Sequence, residues 1–138
     1  MKEFLVSFKH NGKVYENYNL ADGETVEQLK AQGVDVLTVA KEGRKTELSQ
    51  ATDRYFYYQA KARGGYLNMG EIVHDAGEGD PDAQFLLKLY DAIWEKEEEL
   101  EKQIDSMSLE ELLNLNIEAW VKPLYDQIVA ELENTSEG

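Results

Sequence analysis

Three features of the sequence predict an α+β fold, with a small N-terminal antiparallel or mixed sheet packed against a C-terminal antiparallel helical hairpin. Residues 4–20 alternate apolar and polar side chains around Asn11-Gly12. Residues 80–105 repeat apolar side chains at helical spacing behind an Asp-Pro start. Ser108-Leu109-Glu110-Glu111 opens a further helical run that reaches Leu132.

Phe4, Val6 and Phe8 alternate with Leu5, Ser7 and Lys9, the period of a half-buried strand. Asn11-Gly12 marks a tight hairpin, because both central residues of a type I′ turn need positive φ. Val14, Tyr15, Tyr18 and Leu20 make the return strand, which Asp22-Gly23 ends. Thr25–Gln32 suits a short helix buried through Val26, Leu29 and Ala31 and stopped by Gly33. Val34–Val39 reads as a third strand, Lys41–Lys45 as a turn and Thr46-Glu47-Leu48 as a short fourth strand. The order hairpin, helix, strand resembles the opening of a β-grasp fold, a likeness of fold that implies no function.

Residues 49–79 form an aromatic connector of helix or strand, since Tyr55, Phe56, Tyr57 and Tyr58 suit both periods. Gly64-Gly65 ends it, and Met69–Ala76 suits one or two helical turns. Asp80 then caps a helix whose first residue is Pro81. That helix runs to about Asp105. Leu86, Leu89, Tyr90, Ile93, Leu100 and Ile104 share one face, with Phe85, Leu87 and Trp94 widening the apolar arc in its first half. Its second half keeps a narrow seam, as an arm touching one neighbour would. Ser108 and Glu111 form a capping box. Ile117, Trp120, Val121, Leu124, Ile128 and Leu132 continue at helical spacing, with a kink or restart expected at Pro123. One domain is expected over 1–138: mainly sheet with one helix at 1–48, the connector at 49–79, and acidic helices at 80–133.

The chain has 138 residues, a net charge of −14 and no cysteine. Disulfides and cysteine nucleophiles are therefore excluded. No apolar stretch approaches the roughly 20 residues that span a bilayer, and no signal-peptide pattern opens the chain, so the expected location is cytoplasmic. Residues 1–69 carry ten Lys/Arg and nine Asp/Glu, a net +1, whereas residues 70–138 carry four and nineteen, a net −15. Such asymmetry points to an interaction surface. Solubility is the plain alternative.

The acids crowd Glu95–Asp105, which holds six carboxylates and two lysines. They lie toward the C-terminal end of a helix, where the macrodipole disfavours negative charge. Glu95, Glu97, Glu98, Glu101 and Asp105 are the candidate partner-binding residues. Glu97 also falls within the apolar stripe, and a lone buried carboxylate is costly. Either the seam is open there or Glu97 meets a cation, with Lys122 as the mate on this chain. Arg54, Tyr55, Tyr57, Tyr58, Arg63 and Tyr66, with Lys61, mix rings and positive charge in a second candidate surface of the kind that stacks bases. The net charge opposes direct nucleic-acid binding, whose affinity comes largely from phosphate contacts. Glu71, His74 and Asp75 are the candidate metal-ligating or base-bearing group, and Asp75, Glu78, Asp80 and Asp82 offer oxygens of the type calcium prefers. Their spacing is not that of an EF-hand. No GxGxxG or Walker A motif occurs. No cofactor is expected.

These readings converge on a non-catalytic acidic module that binds a basic protein surface. Its sharper form is an inhibitor of a nucleic-acid-binding protein, with carboxylates in place of phosphates, as in small acidic phage or mobile-element proteins. Two other classes compete: an assembly protein using the apolar seam of the helical hairpin, and a metal-dependent enzyme or binder around Glu71, His74 and Asp75.

Overall fold

The computed structural model describes residues 2–137 and, among them, two strands and six helices. These are β1 (Leu5–His10), β2 (Lys13–Asn19), α1 (Gly23–Ala31), α2 (Val36–Gly64), α3 (Met69–Gly77), α4 (Pro81–Asp105), α5 (Leu109–Asn114) and α6 (Ile117–Glu137). They group into two compact units. The first runs through Glu47 and takes in Glu101–Leu115, and the second takes in Leu48–Leu100 and the chain from Asn116 onward. The α+β class holds, and among the described residues no helix is long and apolar enough to cross a membrane.

In the first unit, β1 and β2 pair antiparallel as a two-stranded sheet. Asn11 and Gly12 both take positive φ, 49° and 79°, as the two-residue turn requires. Between Val6↔Tyr18 and Phe8↔Tyr15 the register shifts, because β2 carries one extra residue there. Asn17 absorbs it at φ 57°, and its amide donates to the Ser7 hydroxyl at 3.1 Å. Asp22 caps α1 by accepting from the Glu24 amide. Gly33, at φ 81°, then turns the chain, and the Val34 amide donates back to Leu29 O.

The third and fourth strands and the intervening turn are absent: residues 36–48 are the opening turns of α2. The likeness to a β-grasp therefore ends at α1. The cause is local. The Thr38 amide donates to Asp35 Oδ1 at 3.1 Å, which makes Asp35 an N-cap and holds its carboxyl below the usual range. Val36, Ala40, Arg44 and Leu48 then follow one another at four-residue spacing and are all buried. At Gly43 the helix passes close to the sheet: a methyl there would lie 2.9 Å from Val6 Cγ1.

Arg44 ties this unit together. Arg44 is 7% exposed, and its guanidinium stacks over the Phe4 ring at 3.6 Å. Nε donates to Leu112 O at 2.8 Å, Nη2 to Leu113 O at 3.4 Å, and Nη1 to the Glu47 carboxylate at 2.8 Å. Those carbonyls belong to the last turn of α5, where Leu112 O also accepts from the capping Leu115 amide at 3.3 Å. The capping box of Ser108 and Glu111 closes the opposite end of α5.

In the second unit the rest of α2 packs with α4 and α6. Phe56 meets Tyr90 edge-on, and the Arg63 guanidinium lies over Phe85 at 4.0 Å, so α2 and α4 run antiparallel. Arg54 pairs with Glu118 and Arg63 with Glu133, so α2 and α6 run parallel. It follows that α4 and α6 form the antiparallel helical hairpin. Leu86, Leu89, Ile93 and, on the same stripe, Leu100 are buried. Asp80 caps α4 through the Asp82 and Ala83 amides, and Asn68 caps α3 through Glu71. The chain restarts at Asn116, whose carboxamide accepts from the Ala119 amide, and α6 then runs through Pro123.

Candidate functional site

The acidic second half of α4 is sorted by the fold into three groups. Glu97 is inside: it is 1% exposed, and its charge reaches the buried Tyr125 phenol. The seam is therefore closed there, and Glu97 is not a residue a partner can touch. Nor is Lys122 its mate, because that ammonium pairs with Asp126 one helical turn away at 2.8 Å. Asp105 is used internally. It accepts from Lys45 Nζ at 2.7 Å, and this bond raises the lysine pKa. Glu95, Glu98 and Glu99 face solvent, and Glu101 is half-buried.

Two of the solvent-facing acids meet a third from α6. Ala92, Glu95, Lys96 and Glu99 on α4 line an open cleft of about 350 Å³ with Ile128, Glu131, Leu132 and Thr135 on α6. Its floor is apolar and its rim carries three carboxylates against one lysine. Lys96 Nζ lies 3.4 Å from Glu99, so part of that rim is neutralised. Glu99 and Glu131 are site residues that linear reading missed. Positions four apart on α4 share a face, but the register that brings Glu131 opposite them exists only after the hairpin forms.

The ring-and-cation surface does not assemble as a free surface. Arg54 and Arg63 are each matched by an α6 carboxylate, Glu118 and Glu133. Tyr66 is buried, and its hydroxyl donates to Asp75 at 2.6 Å. Tyr55 donates to Asp126 at 2.7 Å. Tyr58 remains 72% exposed and, with Arg54, Tyr55 and Lys122, borders a second cleft of about 360 Å³ floored by Ala51 and Val121. Tyr57 lies against Phe56 instead.

Glu71, His74 and Asp75 share α3 but are not gathered around a point. Glu71 accepts from Asn68 Nδ2 and Asp75 from Tyr66. Among the described residues no group of three or more His, Asp or Glu is placed to hold a metal ion, the Asp75–Asp82 loop included. No family model, curated protein or solved structure matches the chain.

Three phenols titrate late. Burial pushes Tyr125 up to about 12, and Glu97 adds to the shift. The bond to Asp75 pushes Tyr66 up to about 12. Burial and the Asp126 bond raise Tyr55 as well. A raised folded-state pKa means stability is fully present below the unfolded value near 10 and is lost as pH climbs from there through about 12. Phenolate absorbance is expected to show a late class that titrates together with loss of helical circular dichroism. Tyr125→Phe should reduce the slope of stability against pH between those values. An unchanged slope would remove Tyr125 from the alkaline transition.

Proposed function

We propose that the protein is a non-catalytic interaction module whose α4–α6 cleft binds a basic surface on another protein. The observation that carries this reading is the convergence of Glu95, Glu99 and Glu131 over the apolar floor of Ile128 and Leu132. Carboxylates on a concave rim steer a cationic partner, while the floor supplies area to bury. The sharper form is an inhibitor of a nucleic-acid-binding protein. In that form the solvent-facing carboxylates Glu95, Glu98, Glu99 and Glu131 stand in for phosphates.

The test is titration against a panel of cationic nucleic-acid-binding proteins at low salt, with competition by an oligonucleotide. Glu95→Gln/Glu99→Gln/Glu131→Gln is expected to weaken binding about tenfold, from ~0.5 kcal/mol for each rim charge. Glu3→Gln/Glu16→Gln/Glu24→Gln removes the same charge from the other unit and should change little. Silence across the whole panel, or equal losses in both triple variants, overturns the reading.

A further inference from the structure

The first unit holds a groove that takes no part in the acidic cleft. It has a volume of about 350 Å³. Val6, Ser7, Phe8, Lys9 and His10 of β1 form one wall, with Val34, Asp35, Thr38, Val39, Glu42, Gly43 and Thr46 opposite. β2 supplies none of its lining residues, so the groove follows the side of β1 that β2 does not occupy.

We propose that this groove binds an extended basic peptide, which adds as a third strand to the open edge of β1. The backbone sets the register. Leu20 N donates to Phe4 O, and His10 pairs with Lys13 across the two-residue turn, so even-numbered residues of β1 bond inward to β2. By the alternation of an antiparallel ladder, the N–H and C=O groups of Ser7 and Lys9 point outward. The two edges of the sheet differ. β2 is interrupted by its extra residue at Asn17, which spoils it as a template, whereas β1 is regular over its length.

The groove also selects charge. Side chains alternate along β1, so Lys9 faces the exposed side while Phe8 and His10 turn inward. Lys9 therefore lends its backbone to the groove and directs its ammonium away. The opposite wall presents Asp35, which accepts from the Thr38 amide, and the exposed Glu42, whose only ion pair among the described residues is a long one to Lys45 Nζ at 3.9 Å. Val6, Val34 and Val39 form the apolar part. A strand alternating Lys or Arg with Val or Ile meets both walls, its backbone bonding β1 and its cations facing Glu42 and Asp35.

The experiment selects binders to the full chain from a random heptapeptide display library. Enriched peptides should alternate basic and β-branched residues. Adding the best of them should slow hydrogen exchange at the Ser7 and Lys9 amides at least tenfold. Glu42→Lys, a change on an exposed helical surface, should weaken it at least tenfold. N-methylation of its alternate amides should abolish binding. The proposal is overturned if no peptide emerges, or if the bound peptide leaves those two amides unprotected. It is also overturned if they are already protected in the free protein and sedimentation shows twice the chain mass, because a second copy then fills the edge.

Discussion

Arg44→Ala is expected to cost about 3 kcal/mol of stability, read as a lower urea midpoint with an unchanged slope. Three losses add. The Leu113 carbonyl loses its guanidinium donor and Leu112 O keeps only the Leu115 amide, and hydrogen bonds to a charged group are worth ~1.5–3 kcal/mol. The Phe4 ring loses a cation held at 3.6 Å, a contact worth up to ~2 kcal/mol when desolvated. Glu47 adds least, because its side chain is 37% exposed and can return to water. Glu47→Gln should therefore cost under about 1 kcal/mol. Arg44→Lys should fall between the two, since one ammonium cannot span a stacked ring and acceptors in two directions. A loss below about 1 kcal/mol for Arg44→Ala would show that water replaces the guanidinium at the end of α5.

Gly43→Val is expected to lose about 3 kcal/mol, the second large effect, and Gly43→Ala about 1. The alanine result is the informative one, because two effects oppose. A glycine inside a helix normally costs ~1 kcal/mol relative to alanine, so propensity alone predicts a gain. The added methyl would sit 2.9 Å from Val6 Cγ1 and 3.1 Å from Phe4 Cζ. Neither neighbour can yield cheaply: Val6 is branched and buried, and Phe4 carries the Arg44 guanidinium on its ring. Overpacking should therefore exceed the propensity gain. Equilibrium unfolding of the alanine variant decides it, and a stabilised protein would show that strand and helix separate freely at this point.

Where local chemistry sets the structure, the sequence was a good guide. The Asn11-Gly12 turn, the Asp80-Pro81 start and the Ser108–Glu111 capping box each satisfy a backbone need within a few residues, and each stands as expected. The opening of α2 was misread for a reason that its buried stripe makes plain. That stripe alternates Val36, Leu48 and Phe56 with the small or polar Ala40, Arg44, Thr52 and Ala60, so its hydrophobic period is faint, while the visible run of valines at 34–39 imitates a strand. Asp35 three residues before Thr38 was the available signal. The candidate site was half legible. Its acids are alike in sequence, and only packing separates the interior Glu97 and the paired Asp105 from Glu95, Glu98 and Glu99. Likewise, Arg54 and Arg63 read as free cations because their partners on α6 lie 64 and 70 residues away.

The bond from Arg44 to Leu112 spans 68 residues. At a synthesis rate of ~5–20 residues per second, the hairpin and the first turns of α2 wait roughly 3–14 s on the ribosome for α5 to appear. Throughout that interval the Phe4 ring lacks the carbonyl-anchored guanidinium that stacks over it. A nascent chain stalled before Leu112 should therefore leave Phe4 open to chaperones that bind apolar segments, and the folded chain should not.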